Sequence, residues 1–504
     1  MSSRRNFIKN IALTASGASL LATDSVQASV FSSEMNYSIG GTTSFRPILI
    51  KGRVTANGKG ISNVSVSDGI TVTRTDKNGN YSFLSHSLRD FVFISIPSGY
   101  QIKQQKNGSA DFFFRINKQK DKNKFEFVLT PLLDSDNTHH FLVLADPQIQ
   151  KVEEAEELLN VTIPDVQKTI KEIDSSNIFG IGCGDLIWDK HELFDSYNEA
   201  VRRSQIPFFQ VIGNHDVDLG MRSDEKTGIT FSSMYGPQYY SFNRGEVHYV
   251  ILDDVFFIGK GKEYIGYITE EQLAWLEADL LNVPKGSTVV VAQHIPSITG
   301  YFDRNPKSNS LGAMVSNREH LYKILEGYNA HLMSGHTHFN ENIVMSDSLF
   351  EHCHGTVCGA WWSGPICSDG TPNGYGVYKV NGSNLEWYYK GTDLDKNNQF
   401  RVYKKGEHPD YKECWSVNIW NWDPQWEAYW YEDGIRKGEL VQVVGRDSLS
   451  IKLHEGPKLP EKRKWVEPEL TNHLFLFTPS KNSKSIVVEV KDRFGNIFSE
   501  MFSL

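Results

Sequence analysis

The sequence predicts a central α/β sandwich flanked by two small all-β sandwiches. Three observations predict it. Residues 47–131 and 400–504 read as short strands separated by turn residues, whereas residues 137–392 alternate apolar runs with helical stretches. At 504 residues the chain is too long for one ordinary core, because domains run roughly 100–200 residues. Its 39% hydrophobic and 22% charged residues are those of a globular chain, not a disordered one.

Charge and cysteine usage exclude several classes. Basic residues number 52 against 61 acidic ones, a net −9, so the bulk charge recruits no nucleic acid. Five cysteines are too few, and an odd number, for a disulfide scaffold. Past residue 28 no apolar stretch approaches the ~18–20 residues of a membrane span.

Residues 1–28 read as a secretory signal. Ser3-Arg4-Arg5-Asn6-Phe7-Ile8-Lys9 gives a basic start, Ile11–Ala22 an apolar middle, and Val26-Gln27-Ala28 a small-residue cleavage site. The paired arginines resemble a twin-arginine signal; an ordinary Sec signal is the alternative. Either places the mature chain in the periplasm or outside the cell.

Next come short strands: Ile48–Val54, Val64-Ser65-Val66, Thr71-Val72-Thr73 and Tyr81-Ser82-Phe83, joined by turns such as Asn57-Gly58 and Asp76-Lys77-Asn78-Gly79-Asn80. Such a run argues a small antiparallel sandwich, and it resembles the transthyretin-like or carboxypeptidase-regulatory-like module. It holds no cluster of chemical side chains, which suits a spacer or docking domain.

In the central segment the apolar runs Phe141–Ala145, Ile178–Ile181, Phe208–Ile212, Val289–Ala292 and His331–Met333 alternate with helical stretches, among them Glu153–Ile173 and Glu270–Leu281. Buried, largely parallel sheet follows from that alternation. Of 16 histidines, 12 fall between His139 and His354, so a metal is to be sought here. From about residue 400 strands return, with Trp415–Trp420 and Ile486–Val490 alternating. Trp415, Trp420, Trp422, Trp426 and Trp430 either stack on sugars or fill this sandwich's core, and their alternation favours the core.

Five motifs carry the chemistry, each at the carboxyl end of an apolar run: Asp146-Pro147-Gln148, Gly184-Asp185, Gly213-Asn214-His215-Asp216, Gln293-His294 and Gly335-His336-Thr337-His338. Open α/β sheets bind ligands just past those ends. Asp146, Gln148, Asp185, Asn214, His294, His336 and His338 form an oxygen-and-imidazole set that suits Mn, Fe or Zn. Seven ligands exceed the needs of one ion and fit two divalent transition-metal ions sharing Asp185. Such a pair makes a nucleophile from water at neutral pH and neutralises a phosphoryl group, while a nearby imidazole protonates the leaving alkoxide.

The order of these motifs resembles the calcineurin-like metallophosphoesterase superfamily over nearly all of residues 137–392. Gly236-Pro237-Gln238-Tyr239-Tyr240-Ser241-Phe242 and His248–Asp253 extend the likeness. With both flanking β domains, the chain resembles exported three-domain bacterial members. The resemblance implies a four-layer α/β/β/α metallophosphoesterase sandwich and hydrolysis of a phosphate ester by a metal-bridging hydroxide. It puts Asp146, Gln148, Asp185 and His338 on one ion, and Asp185, Asn214, His294 and His336 on the other, with His215 as general acid.

Two departures stand out. The family's first motif usually reads Asp-x-His, and here Gln148 offers a carbonyl oxygen, which favours a harder ion such as Mn. Asp-x-Gln occurs in relatives that cleave nucleotide-type diphosphates, so a nucleotide or sugar-nucleotide pyrophosphatase is the alternative. Trp188 stands where the family often carries an Asp or Asn that orients the acid, leaving Asp189 or Asp216 for that task. It also argues against a purple acid phosphatase, which needs a tyrosine there. Trp188, Trp361 and Trp362 are candidate substrate contacts, with core packing of at least one of the rings of Trp361-Trp362 an equal reading. His352 and His354 offer a weaker second metal site. Cys353, Cys358 and Cys367 read as one disulfide pair or as buried thiols. Asp253-Asp254 reads as a strand-end turn. The expected partner is a small phosphorylated substrate, nucleotide- or sugar-linked, with no nucleic acid and no membrane span. A carbohydrate- or surface-binding protein whose metal site has lapsed is the reading from another class.

Overall fold

The computed structural model describes residues 46–259 and 261–504, so the export signal expected over residues 1–28 lies outside the described residues. Strand Pro47–Ala56 buries Ile48, Ile50 and Val54 on one face and pairs antiparallel with Asn80–His86 and parallel with Lys122–Leu129. A second sheet of Val72–Arg74, Ser65–Ser67, Phe91–Ile94 and Phe113–Arg115 completes an N-terminal sandwich. The turn before Asn80 forms because Asp76 Oδ1 accepts the N–H groups of Asn78 and Asn80, both at 2.8 Å.

Two sheets build the centre. One has the order Phe208–Val211, Ile178–Cys183, Thr138–Leu144, Gly374–Asn381, Asn384–Gly391. The other runs Tyr240–Arg244, Val247–Ile251, Thr288–Ala292, Asn329–Ser334, Leu349–Cys353, Glu341–Ser346. Aromatic rings lock their inner faces together: Phe209 stacks on Phe242 at 3.6 Å, and Phe141 and Phe179 meet Tyr249 edge-on at 5.6 and 5.2 Å. Helices cover the outer faces. Thr169 of Ile163–Ile173 bonds Tyr375 on the first sheet, and Asp279 of Glu270–Leu280 bonds His248 on the second. The result is the expected α/β/β/α order. The sheets are mixed, because parallel centres carry antiparallel edges in Gly374–Gly391, Tyr240–Arg244 and Glu341–Ser346.

The predicted helix 153–173 is divided. A π-turn at Leu158–Thr162 separates Val152–Glu157 from Ile163–Ile173, and Pro164, which has no N–H to give residue 160, sits at the start of the second piece.

The C-terminal sandwich packs two four-stranded antiparallel sheets over its own core. Trp415 and Trp426 belong to that core, Trp422 and Trp430 pack against it, and Trp420 is buried. The tryptophan cluster is therefore core filling. The N-terminal sandwich instead shares a continuous core with the central sheets, and Trp275 Nε1 donates to Ser67 Oγ across that boundary at 3.1 Å. Among the described residues no helix is long and apolar enough to cross a membrane.

Candidate metal centre

All five motifs come together past the carboxyl ends of strands from both central sheets. Thr138–Leu144, Ile178–Cys183 and Phe208–Val211 deliver Asp146, Gln148, Asp185, Asn214 and His215; Thr288–Ala292 and Asn329–Ser334 deliver His294, His336 and His338. Five of the ligand candidates hold left-handed backbone: Asp146 at φ 48°, Gln148 at 39°, Asp185 at 49°, His336 at 67° and His338 at 56°. A non-glycine residue there costs about 1–3 kcal/mol and persists only where the surroundings over-determine it. Their neighbouring glycines show why. A Cβ on Gly184 would stand 2.3 Å from His294 Nδ1, one on Gly213 2.3 Å from Asp185 Oδ1, and one on Gly335 2.3 Å from Asp146 Oδ2. Each motif glycine makes room for a ligand from another motif.

The hydrogen bonds fix the ring tautomers. His294 Nδ1 donates to the Cys183 carbonyl at 3.1 Å, His336 Nε2 to Gly312 at 3.0 Å and His338 Nδ1 to Gly359 at 2.6 Å. A carbonyl only accepts, so the other nitrogen of each neutral ring turns a lone pair to the cleft. His294 Nε2 then faces Asn214 Oδ1 at 3.1 Å, Asp185 Oδ1 at 3.3 Å and His336 Nδ1 at 3.2 Å. Asp185, His294 and His336 form a compact group able to hold an ion. On the other side Asp146 Oδ1, Gln148 Oε1 and His338 Nε2 are buried without any hydrogen-bond partner, and His338 Nε2 lies 3.7 Å from Asp146 Oδ1. Buried acceptors facing one another are costly unless a cation sits between them. Asp185 joins the halves: Oδ1 faces His294, while Oδ2 accepts the Gln148 amide at 2.6 Å. The donor set fits two divalent ions.

Electrostatics agree with that crowding. Burial pushes the Asp146 carboxyl up to about 8, with Asp185 adding to the rise. Asp185 itself is held well below the usual carboxylate range, because His294 and His215 outweigh its burial. Burial pulls His294 down, yet the Asp185 carboxylate lifts it to about 10, so without a cation its Nε2 carries a proton that a bound ion would displace. His336 and His338 are pulled by burial to about 3 and about 4, which leaves both rings neutral and fit to ligate.

His215 stands beside this group with its Nδ1 on Asp189 Oδ1 at 2.8 Å and its Nε2 4.0 Å from Asp185 Oδ2. Of the two orienting candidates, Asp189 holds the ring and also pairs with Lys262. Asp216 has another task, accepting the Gly213 N–H at 2.8 Å and the Ile187 N–H at 3.2 Å, which ties two motif loops together. Asp253 Oδ1 caps Val255 N in the expected turn, whereas Asp254 is buried and accepts the backbone N–H of His294. Sequence reasoning missed that support.

The tryptophan candidates separate. Trp361 stacks on His338 at 4.1 Å and Trp188 lies 5.3 Å from His215, both partly exposed. Trp362 is corrected: it is buried, and its Nε1 donates to the Pro147 carbonyl at 2.9 Å, so it braces the first motif and has no face for substrate. His352 and His354 make no second metal site. His352 bonds His331 at 3.0 Å, and His354 spans the Ser334 carbonyl and the Tyr378 hydroxyl at 2.8 Å each. All five cysteines are free thiols, so of the two readings of Cys353, Cys358 and Cys367 the buried-thiol one holds. Also missed were Tyr264, edge-on to His336 at 5.9 Å, and Trp465, 4.7 Å from Trp361. Neither lies in a motif, and Trp465 is more than a hundred residues past the last one, so the sequence carried no signal for it.

With that geometry in hand, comparison with known proteins agrees. The chain matches the family model for calcineurin-like phosphoesterase over residues 139–340, that for the N terminal of calcineurin-like phosphoesterase over 48–132, and that for its C terminal over 351–498. It belongs to the calcineurin-like phosphoesterases, a family of metal-dependent phosphoester hydrolases. Purple acid phosphatase 15 of Arabidopsis thaliana is 27% identical over 152 residues, 27% of this chain and 25% of that protein, so the chain spans about a quarter of that curated relative's length. Among solved structures, a dimetal phosphatase from Danio rerio is 16% identical, covering 50% of this chain and 96% of that one with a TM-score of 0.37. Purple acid phosphatase PPD1 from yellow lupin is 14% identical over 69% of this chain and 67% of that one, with a TM-score of 0.39.

Proposed function

We propose that this protein is an exported hydrolase of small phosphate esters that works with two divalent cations, Mn by preference, and with His215 as general acid. One observation carries the reading: Asp185, His294 and His336 form a compact group able to hold an ion, and beside it Asp146 Oδ1, Gln148 Oε1 and His338 Nε2 are buried with no hydrogen-bond partner. When bound, two such cations neutralise the phosphoryl oxygens and lower the pKa of water beside them.

The chain's own residues divide the remaining work. Asp146, Gln148, Asp185 and His338 hold one cation; Asp185, Asn214, His294 and His336 hold the other. Asp189 accepts the hydrogen bond of His215 Nδ1–H and favours the protonated ring, so Nε2 turns toward the cleft with the proton that a leaving alkoxide needs. Against its burial, His215 and the Lys262 ammonium together hold the Asp189 carboxyl below its usual range. Asp216 and Asp254 fix the loops that carry Asp185, Asn214 and His294. The signal-like residues 1–28 support export.

Metal analysis of chelator-free protein, together with Mn-dependent turnover of p-nitrophenyl phosphate, its bis-ester and a nucleotide diphosphate, tests this. About two ions per chain and hydrolysis of at least one ester are expected, and the preferred ester separates phosphatase, diesterase and pyrophosphatase. Protein that binds no transition metal and turns over none of them ends the proposal.

A further inference from the structure

Loop 456–469 leaves the C-terminal sandwich after helix Ser448–His454 and reaches the metal cleft. Arg463 anchors it through an ion pair to Glu154 at 3.0 Å, with both side chains buried. The other Glu154 oxygen accepts the N–H of Gln150 at 2.8 Å, two residues past the ligand Gln148, so the loop is tied to the first motif. The same guanidinium lies 4.7 Å from the Trp188 ring centre. Two residues on, Trp465 stands 56% exposed, 4.7 Å from Trp361 and 6.4 Å from Trp188. Trp361 lies nearly flat on His338, tilted by 21°, and Trp188 neighbours His215. Three indoles therefore line one side of the cleft from a metal ligand to the general acid. Trp361 and Trp362 hold this wall with φ of 53° and 58°, a conformation that bulky residues rarely adopt.

We propose that this wall is a subsite for a flat aromatic ring on the substrate's alcohol, a nucleobase carried by a phosphate ester, with Trp465 as its outer stacking face. This rests on the phosphoester-hydrolase reading above and deepens it. Every base offers a π-face that an indole covers without sequence-specific contacts. A sugar ring would need carboxylates or amides for its hydroxyls, and the carboxylates in contact with Arg463 and His215 are committed, Glu154 to Arg463 and Asp189 to His215 and Lys262.

The test compares kcat/KM with Mn for adenosine 5′-monophosphate, glucose 6-phosphate and glycerol 3-phosphate in wild type, Trp465→Ala and Trp465→Phe. Trp465→Ala should cut kcat/KM for the nucleotide by about 5- to 150-fold, the range for one base on one aromatic ring, and shrink its preference over glycerol 3-phosphate in proportion. Trp465→Phe should restore most of that preference. An equal loss on all three substrates, or a loss confined to glucose 6-phosphate, overturns the subsite. Adenosine, which has no phosphate to cleave, gives an independent readout through quenching of tryptophan fluorescence. Quenching lost in Trp465→Ala, in a protein that hydrolyses no ester, keeps the subsite and sinks the hydrolase reading. Hydrolysis with neither quenching nor nucleotide preference does the reverse.

Discussion

Replacing Gly213 with alanine probes how tightly the bridging carboxylate is placed. Gly213 is not among the residues with positive φ, so its backbone accepts alanine and only space is at issue. The new Cβ would stand 2.0 Å from the Asp185 nitrogen and 2.3 Å from its Oδ1. To reach ordinary contact the two loops must part by more than about 1 Å, and even a 1 Å displacement at a reacting centre costs roughly 100-fold in rate. Overpacking of this kind also removes about 1–3 kcal/mol of stability. Because Asp185 is shared by both halves of the site, both cations should bind more weakly. Metal titration, thermal melting and kcat/KM on p-nitrophenyl phosphate with Mn check this, with Gly220→Ala as control, since nothing lies within 4 Å of a Cβ there. A Gly213→Ala protein that binds two ions as tightly as wild type and keeps its kcat/KM would refute the argument that motif glycines set the ligand positions.

Other outcomes follow from the same geometry. His215→Ala should keep its metal but lose about 100- to 10,000-fold on alkyl phosphates, and much less on p-nitrophenyl phosphate, whose leaving group needs little protonation; single-turnover rates on both esters decide it. Asp189→Asn should show the same leaving-group dependence in weaker form, because the ring stays but its orientation and charge support go; equal losses on both esters would contradict it. Chelation should abolish turnover and lower the melting temperature, and Mn should restore both, because the cations bind the folded state alone; calorimetric scans with and without chelator measure this. Arg463→Ala leaves the Glu154 carboxylate buried without its counter-charge and should cost about 3–5 kcal/mol in denaturant unfolding.

The layer order and the gathering of the five motifs were legible because each is written locally. An apolar run followed by Gly-Asp or Gly-His-x-His marks a buried strand and the loop beyond it, and strand direction brings such loops to one edge. The π-turn before Pro164 and the antiparallel edge strands were not legible, since they depend on which neighbour a segment meets. Trp361 and Trp362 read alike in sequence and differ only in what surrounds them: one ring finds His338, the other the Pro147 carbonyl.

By itself the sequence determined which side chains have metal-binding chemistry, their order along the chain, and the succession of β, α/β and β segments, because residue chemistry and hydrophobic period are properties of short segments. Only the tertiary structure decided that Asp189 orients His215, that Asp216 and Asp254 brace the loops, and that Arg463 and Trp465 of the C-terminal sandwich stand at the cleft. Those contacts join residues from 3 to over 300 positions apart, the farthest being Arg463 and Glu154. They exist because packed sheets bring together loops that no periodicity in the chain connects.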